Sequence, residues 1–178
     1  MTMTSVELRL ESLERELQRL RAEPLIRACV THYMALCDRL DADTPLDELA
    51  SLFTRDAAWE GRGPRYSGAL GGYRGREEIT AMFRTYMTVP PHFALNVHFL
   101  CSESIAVAEY AASADASWVM LQTSTFASGY SHLNAAQLNL RMALEDGRWR
   151  IAHFQTENLF SRPVARWHDT SPLPVPKR

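Results

Sequence analysis

The spacing of hydrophobic positions changes character twice along this chain. Over residues 5–23, Val6, Leu10, Leu13, Leu17 and Leu20 recur at steps of four, three, four and three, with Glu and Arg filling the rest. That is a heptad seam, and it predicts a charged amphipathic helix. The default reading packs the seam on its own domain; an intersubunit contact is the alternative. Two heptads are too short for a free coiled coil, so any such contact needs support from the main body. Pro24 then opens a second helix at its first turn, where proline is tolerated. From there to Leu40 the chain is apolar almost all round, through Leu25, Ile26, Cys29, Val30, Tyr33, Met34, Leu36 and Cys37. Such a helix is buried on more than one side. After a break at 41–45 the pattern predicts a short helix over 46–53 and a short strand over 57–60. The glycine-rich stretch 61–75 reads as a loop with a small strand near Tyr66. An amphipathic helix follows over 76–86, with Ile79, Met82, Phe83 and Tyr86 on one face, and Pro90-Pro91 stops it.

From His92 onward the period becomes two. Strands are expected over 92–101, 104–113, 116–127, 130–145 and 148–158, with a strong hairpin signal at Glu145-Asp146-Gly147. The first of these sorts into two faces. Phe93, Leu95, Val97 and Phe99 form an apolar wall expected in the core, while His92, Ala94, Asn96, His98 and Leu100 point the other way. The polar face suits either the lining of a pocket or plain solvent. Strand 148–158 shows no such sorting. That mixture fits a strand covered on both faces, by a barrel interior on one side and a neighbouring subunit on the other. Helices followed by a run of long antiparallel strands predict an α+β fold, with helices over one face of a curved sheet.

Composition narrows the picture without supplying a function. At 178 residues and 46% hydrophobic content, the chain fits one domain with an ordinary core. A net charge of -2 makes nucleic acid and anionic membranes unexpected partners. No apolar run approaches the roughly 20 residues that span a bilayer, and the charged N-terminal region does not read as a secretory signal. Cys29, Cys37 and Cys101 are an odd number in apolar surroundings, expected to be reduced core residues of a cytoplasmic protein. No Cys-x-x-Cys pair or His-x-x-x-His helix suggests a metal site. The expected organisation is an amphipathic helix over 1–23, a main domain over 24–160 and an irregular, proline-containing tail over 161–178.

Several local signatures resemble the NTF2-like superfamily of cone-shaped α+β barrels, in its SnoaL-like branch. They are the helix ending in Cys37-Asp38-Arg39-Leu40-Asp41, the run Leu52-Phe53-Thr54-Arg55-Asp56-Ala57-Ala58-Trp59, and Tyr73-Arg74-Gly75-Arg76-Glu77-Glu78-Ile79. His92-Phe93-Ala94-Leu95-Asn96-Val97 and Asp146-Gly147-Arg148-Trp149-Arg150-Ile151 complete the set, which spans residues 25–158. Within that branch the chain is most similar to the scytalone dehydratase, bile acid 7α-dehydratase and hexachlorocyclohexane dehydrochlorinase type of lyase. The resemblance implies a histidine at the start of the central strand and an aspartate near the end of the long helix, positions that His92 and Asp38 occupy here. It adds a tyrosine on that helix, matched by Tyr33. Trp59 stands where the scytalone enzyme has a second tyrosine, and Arg141 is a possible equivalent of a late-strand arginine.

These residues make chemical sense for an elimination. An imidazole accepts a proton near neutral pH, and a carboxylate on its other nitrogen fixes the tautomer and stabilises the imidazolium. His92 is therefore the expected base, Asp38 its orienting partner and Tyr33 the donor to a leaving group or oxyanion. On a uniform helix, Tyr33 and Asp38 point about 140° apart, so they share a cavity only where it wraps the helix end. Asn96 and His98 are expected to line the site, Trp59, Phe83, Met87, Trp118 and Met120 to wall it, and Arg141 to help position a ligand. His132 and His153 lie on other strands that could face the same cavity. The expected function is a lyase needing no cofactor or metal, acting on a hydrophobic alicyclic, steroid- or polyketide-like molecule, in a homo-oligomer. An isomerase or polyketide cyclase on the same fold, and a non-catalytic binding subunit like a dioxygenase β subunit, are the competing readings.

Overall fold

The computed structural model describes residues 5–165. The described residues form four helices and six strands: α1 (Ser5–Asp38), α2 (Leu46–Ser51), β1 (Phe53–Arg62), α3 (Gly63–Leu70), β2 (Gly72–Arg74), α4 (Arg76–Arg84), β3 (Phe93–Val107), β4 (Ser113–Phe126), β5 (Ser131–Glu145) and β6 (Arg148–Pro163). The strands build one curved, unclosed sheet in the order β2-β1-β6-β5-β4-β3. Every neighbouring pair is antiparallel except β1 and β6, which run parallel. The α+β architecture is as the sequence predicts.

The helical part differs from expectation at both ends. The two helices expected on either side of Pro24 are one continuous helix of 34 residues. Pro24 lies on an exposed stretch, where water can satisfy the carbonyl that its missing N–H leaves free. The seam of Val6, Leu10, Leu13, Leu17 and Leu20 does not pack on the domain; all five are exposed, and the first buried residue of α1 is Ala22. Beyond it Ile26, Val30, Tyr33, Met34, Leu36 and Cys37 enter the core, as the all-round apolar pattern predicts. The helix stops at Asp38 because the next turn closes on itself. Thr44 Oγ1 donates to the Arg39 carbonyl at 2.5 Å and accepts from the Asp41 N–H at 2.9 Å, while Asp41 Oδ1 accepts from the Asp43 N–H.

The stretch expected as a glycine loop contains helix α3, and Tyr66 lies on that helix rather than on a strand. Pro64 at its first turn and the Gly63 and Gly71 φ values of 71° and 69° at its two ends account for the boundaries. The two strands expected over 92–101 and 104–113 are one strand, β3, carrying an irregularity between Cys101 and Ser104 where Ser102 has a φ of 50°. The hairpin after Glu145 is as expected, with Asp146 and Gly147 both left-handed at 52° and 72°.

The apolar wall assigned to the core on β3 faces the other way. Leu95 and Phe99 are exposed, while Asn96 is buried and His98 nearly so. A register shift between Phe93 and Leu95 lets Phe93 share the inner face with Asn96 and His98 despite the odd spacing. The unsorted pattern of β6 has the same cause. The pairing with β5 skips a residue between Ile151 and His153, so Trp149 and Ile151 point inward with Phe154 and Thr156, while His153 and Gln155 point outward. Of the three cysteines, Cys29 and Cys37 are buried but Cys101 is exposed, against expectation. The irregular tail begins later than residue 161, since β6 runs to Pro163, and its portion from 166 lies outside the described residues. Among the described residues no helix is long and apolar enough to cross a membrane, and no cluster of three potential metal ligands occurs.

Candidate active site

The concave face of the sheet and the end of α1 enclose a cavity of ≈ 310 Å³. Its walls are mostly apolar and aromatic: Trp59 from β1, Met82 and Phe83 from α4, Phe93 from β3, Met120 and Phe126 from β4, and Phe154 from β6. Trp59 and Phe154 stack with ring centroids 5.7 Å apart, and Tyr33 meets Phe53, Phe83 and Phe154 edge-on or tilted. Such a lining suits a small hydrophobic ligand, with a few polar groups to orient it.

The polar groups form three linked clusters. The first is a His–Asp pair, and its histidine is His98 rather than His92. Asp38 Oδ1 lies 2.6 Å from His98 Nδ1 and also accepts the His98 backbone N–H at 2.9 Å. The expected pairing of His92 with Asp38 is thereby corrected. The last turn of α1 crosses the middle of β3 and not its start, so the inward-facing imidazole that reaches Asp38 is the one six residues further along. Asp38 stands behind His98, outside the cavity lining, and His98 faces the cavity. Among the described residues His98 Nε2 takes no hydrogen bond. A carboxylate on Nδ1 places the proton there and leaves the Nε2 lone pair toward the cavity. His92 lines the exposed rim instead, its ring edge-on to Tyr86, Phe93 and Phe126.

The second cluster is on the helix. Tyr33 is buried, its hydroxyl accepting from the Trp59 indole N–H at 3.1 Å and meeting the Cys37 thiol. Burial raises the Tyr33 hydroxyl well above its ordinary range and pushes the Cys37 thiol up to about 12, so both stay protonated. Tyr33 and Cys37, four residues apart, share one face of α1 and line the cavity together with Leu40, which lies just past the helix end. The helical angle between Tyr33 and Asp38 is resolved by a division of labour: Tyr33 looks into the cavity and Asp38 looks sideways to β3.

The third cluster is centred on Asn96. Its Nδ2 donates to the Cys37 carbonyl at 3.1 Å, and its Oδ1 accepts from Gln122 Nε2 at 2.8 Å and Ser124 Oγ at 2.7 Å. Asn96 therefore ties the end of α1 to β3 and β4. Gln122, Ser124, Asn134 and Thr156 also line the cavity and were not singled out in the sequence. Gln122 and Ser124 share the strand face of Met120, so their parity was the available signal.

Three expected site residues lie elsewhere. Trp118 is buried in the core on the same face of β4, its indole donating to Glu103 at 3.2 Å, outside the cavity lining. Met87 is half-buried against the core, also outside the lining. Arg141 projects from the opposite face of the sheet, where it is exposed and 4.0 Å from Asp115. Alternation on β5 explains this, since Leu140 and Met142 take the inward positions. His153 shares that outer face, with Nε2 2.5 Å from Glu60 Oε1; the Glu60 carboxyl is held low chiefly by the Gln155 amide, which donates to it at 2.9 Å. His132 packs its ring edge against Phe126, with Nδ1 3.4 Å from Ser161 Oγ.

The family model of the SnoaL-like domain matches residues 18–155. No curated protein sequence matches the chain significantly. Among solved structures, it resembles a type 2 hexachlorocyclohexane dehydrochlorinase (LinA) at 20% identity and a TM-score of 0.72, covering 88% of this chain and 98% of the other. It resembles the type 3 LinA enzyme of Novosphingobium barchaimii at 20% identity and 0.70, covering 88% and 99%. A scytalone dehydratase-like protein of Novosphingobium aromaticivorans matches at 18% identity and 0.66, covering 84% and 90%. At these identities the likeness is one of fold.

Proposed function

The chain belongs to the SnoaL-like domain family, and from that premise we propose that it is a lyase acting without a cofactor on a hydrophobic alicyclic molecule of steroid or polyketide type. The reaction is the loss of water, or of hydrogen halide, next to an activating group. The observation that carries this reading is the His98 imidazole, anchored through Nδ1 on Asp38 with Nε2 toward an aromatic cavity. Two of the fold neighbours bear the names of eliminating enzymes, a dehydrochlorinase and a dehydratase, which supports the reaction class.

In this scheme His98 Nε2 accepts the C–H proton, the C–H electron pair becomes the new double bond, and the C–O bond breaks. Tyr33 donates a hydrogen bond to the departing oxygen, which leaves as water with the proton returned from the imidazolium. Asp38 holds the ring and stabilises its cationic form. Asn96 fixes the helix end against the strand, while Trp59, Phe83 and Met120 enclose the ring system and His92 meets its outer end at the rim.

The test is a panel of alicyclic alcohols and halides bearing an adjacent carbonyl, followed by the absorbance of the conjugated product. His98→Ala is expected to lower turnover by about 10²–10⁴-fold, the usual range for a general base. His92→Ala is expected to act mainly on KM. Activity surviving in His98→Ala but lost in Asp38→Asn would make Asp38 the base and overturn the scheme.

A further inference from the structure

The N-terminal half of α1 presents an apolar stripe that the domain does not use. Val6, Leu10, Leu13, Leu17 and Leu20 are 69%, 55%, 54%, 46% and 61% exposed, although their spacing is that of a coiled-coil seam. Most of the stripe lies ahead of residue 18, where the family match begins. Isolated apolar side chains on a surface need no explanation, but five in heptad register on one helix face do. Charges beside the stripe indicate what covers it. With Leu10 and Leu17 at a and Val6, Leu13 and Leu20 at d, the g positions hold Arg9 and Glu16, and the e positions of the following heptads hold Glu14 and Arg21.

We propose that this segment pairs with the same segment of a second copy of the chain, as a short, parallel, in-register coiled coil. In that arrangement Arg9 faces Glu14 of the partner subunit and Glu16 faces Arg21 of the partner subunit, so each flanking pair joins opposite charges on both sides of the seam. The antiparallel register that stacks Leu10 against Leu20 of the partner subunit pairs Glu7 with Arg21 of the partner subunit and Arg9 with Glu23 of the partner subunit at its ends, but sets Glu14 and Glu16 each against its own copy at its centre, whereas the parallel register has no like-charge pair among these positions. The seam ends at Pro24, which occupies the next a position. Two heptads alone are marginal. Here the helix continues without a break into the core, so the fold anchors one end of the segment before pairing.

The experiment is sedimentation velocity with light scattering on the full chain across a dilution series. The double substitution Leu13→Glu/Leu17→Glu is expected to halve the particle mass while leaving the domain folded, with the melting temperature losing its dependence on protein concentration, because neither residue is buried in the single chain. Arg21→Glu is expected to weaken association by setting it against Glu16 of the partner subunit, and Glu16→Arg/Arg21→Glu to restore it. An unchanged mass in the Leu13→Glu/Leu17→Glu protein would overturn the proposal. Failure of the charge exchange to restore association would overturn the parallel pairing.

Discussion

The Asn96 amide joins three elements with its two ends, donating to the last turn of α1 and accepting from Gln122 and Ser124 on β4. Its burial makes each of those bonds costly to lose, since no water replaces the missing partner. Asn96→Ala is expected to destabilise the domain by about 1–3 kcal/mol, measured by urea unfolding; a change well below that range would mean the helix end is held elsewhere. At this scale the sequence was informative about residue types and less so about pairing. Tyr33 and Asp38 stand out as polar groups in an apolar helix, and both belong to the site's clusters. The sequence pointed to His92 rather than His98 as the partner of Asp38, and it did so wrongly because the pairing depends on where α1 crosses β3, a contact between residues 60 positions apart. Arg141 was misplaced for a simpler reason, that one residue of register decides which face of a strand a side chain occupies.

Between elements, the long helix is fastened to the sheet edge by a charge pair as well as by the core. Arg27 meets Glu103 at 2.5 Å, and Trp118 donates to the same carboxylate. The hydrogen bond from Arg27 is the main reason that the Glu103 carboxyl is held below its ordinary value. The folded chain therefore binds that proton less readily than the unfolded one. The stabilisation is complete above the ordinary glutamate range and fades as pH falls through the depressed value. Both groups are partly exposed, so the effect is modest and screened by salt. Unfolding curves over the acid range should show a shallower loss of stability in Glu103→Gln than in the natural sequence; identical slopes would remove Glu103 from the linkage. The element boundaries that went unread share one origin. Pro24 is carried where α1 is exposed to water, α3 forms among glycines behind Pro64 at its first turn, and β3 runs through the turn at Ser102 as a local irregularity, so in each case a local breaker was accommodated within or beside an element.

Across the whole molecule, the order of helices and long strands was enough to predict an α+β fold with one covered sheet face, and the local signatures identified the superfamily. The cavity was legible as a class, apolar with a few polar points, but not as a set of walls. Its lining is assembled from α1, α3, α4 and five of the six strands, and two register shifts reverse the inward parity that a uniform strand would give. The account rests on one long-range meeting, the end of α1 with the middle of β3. That meeting is read most directly by long-range ¹⁵N–¹H NMR of the His98 ring, in the natural sequence and in Asp38→Asn. The account predicts that the neutral form of the ring carries its proton on Nδ1 in the natural sequence, with that tautomer preference lost when the carboxylate becomes an amide. A neutral ring with its proton on Nε2, or a tautomer indifferent to the substitution, would contradict it.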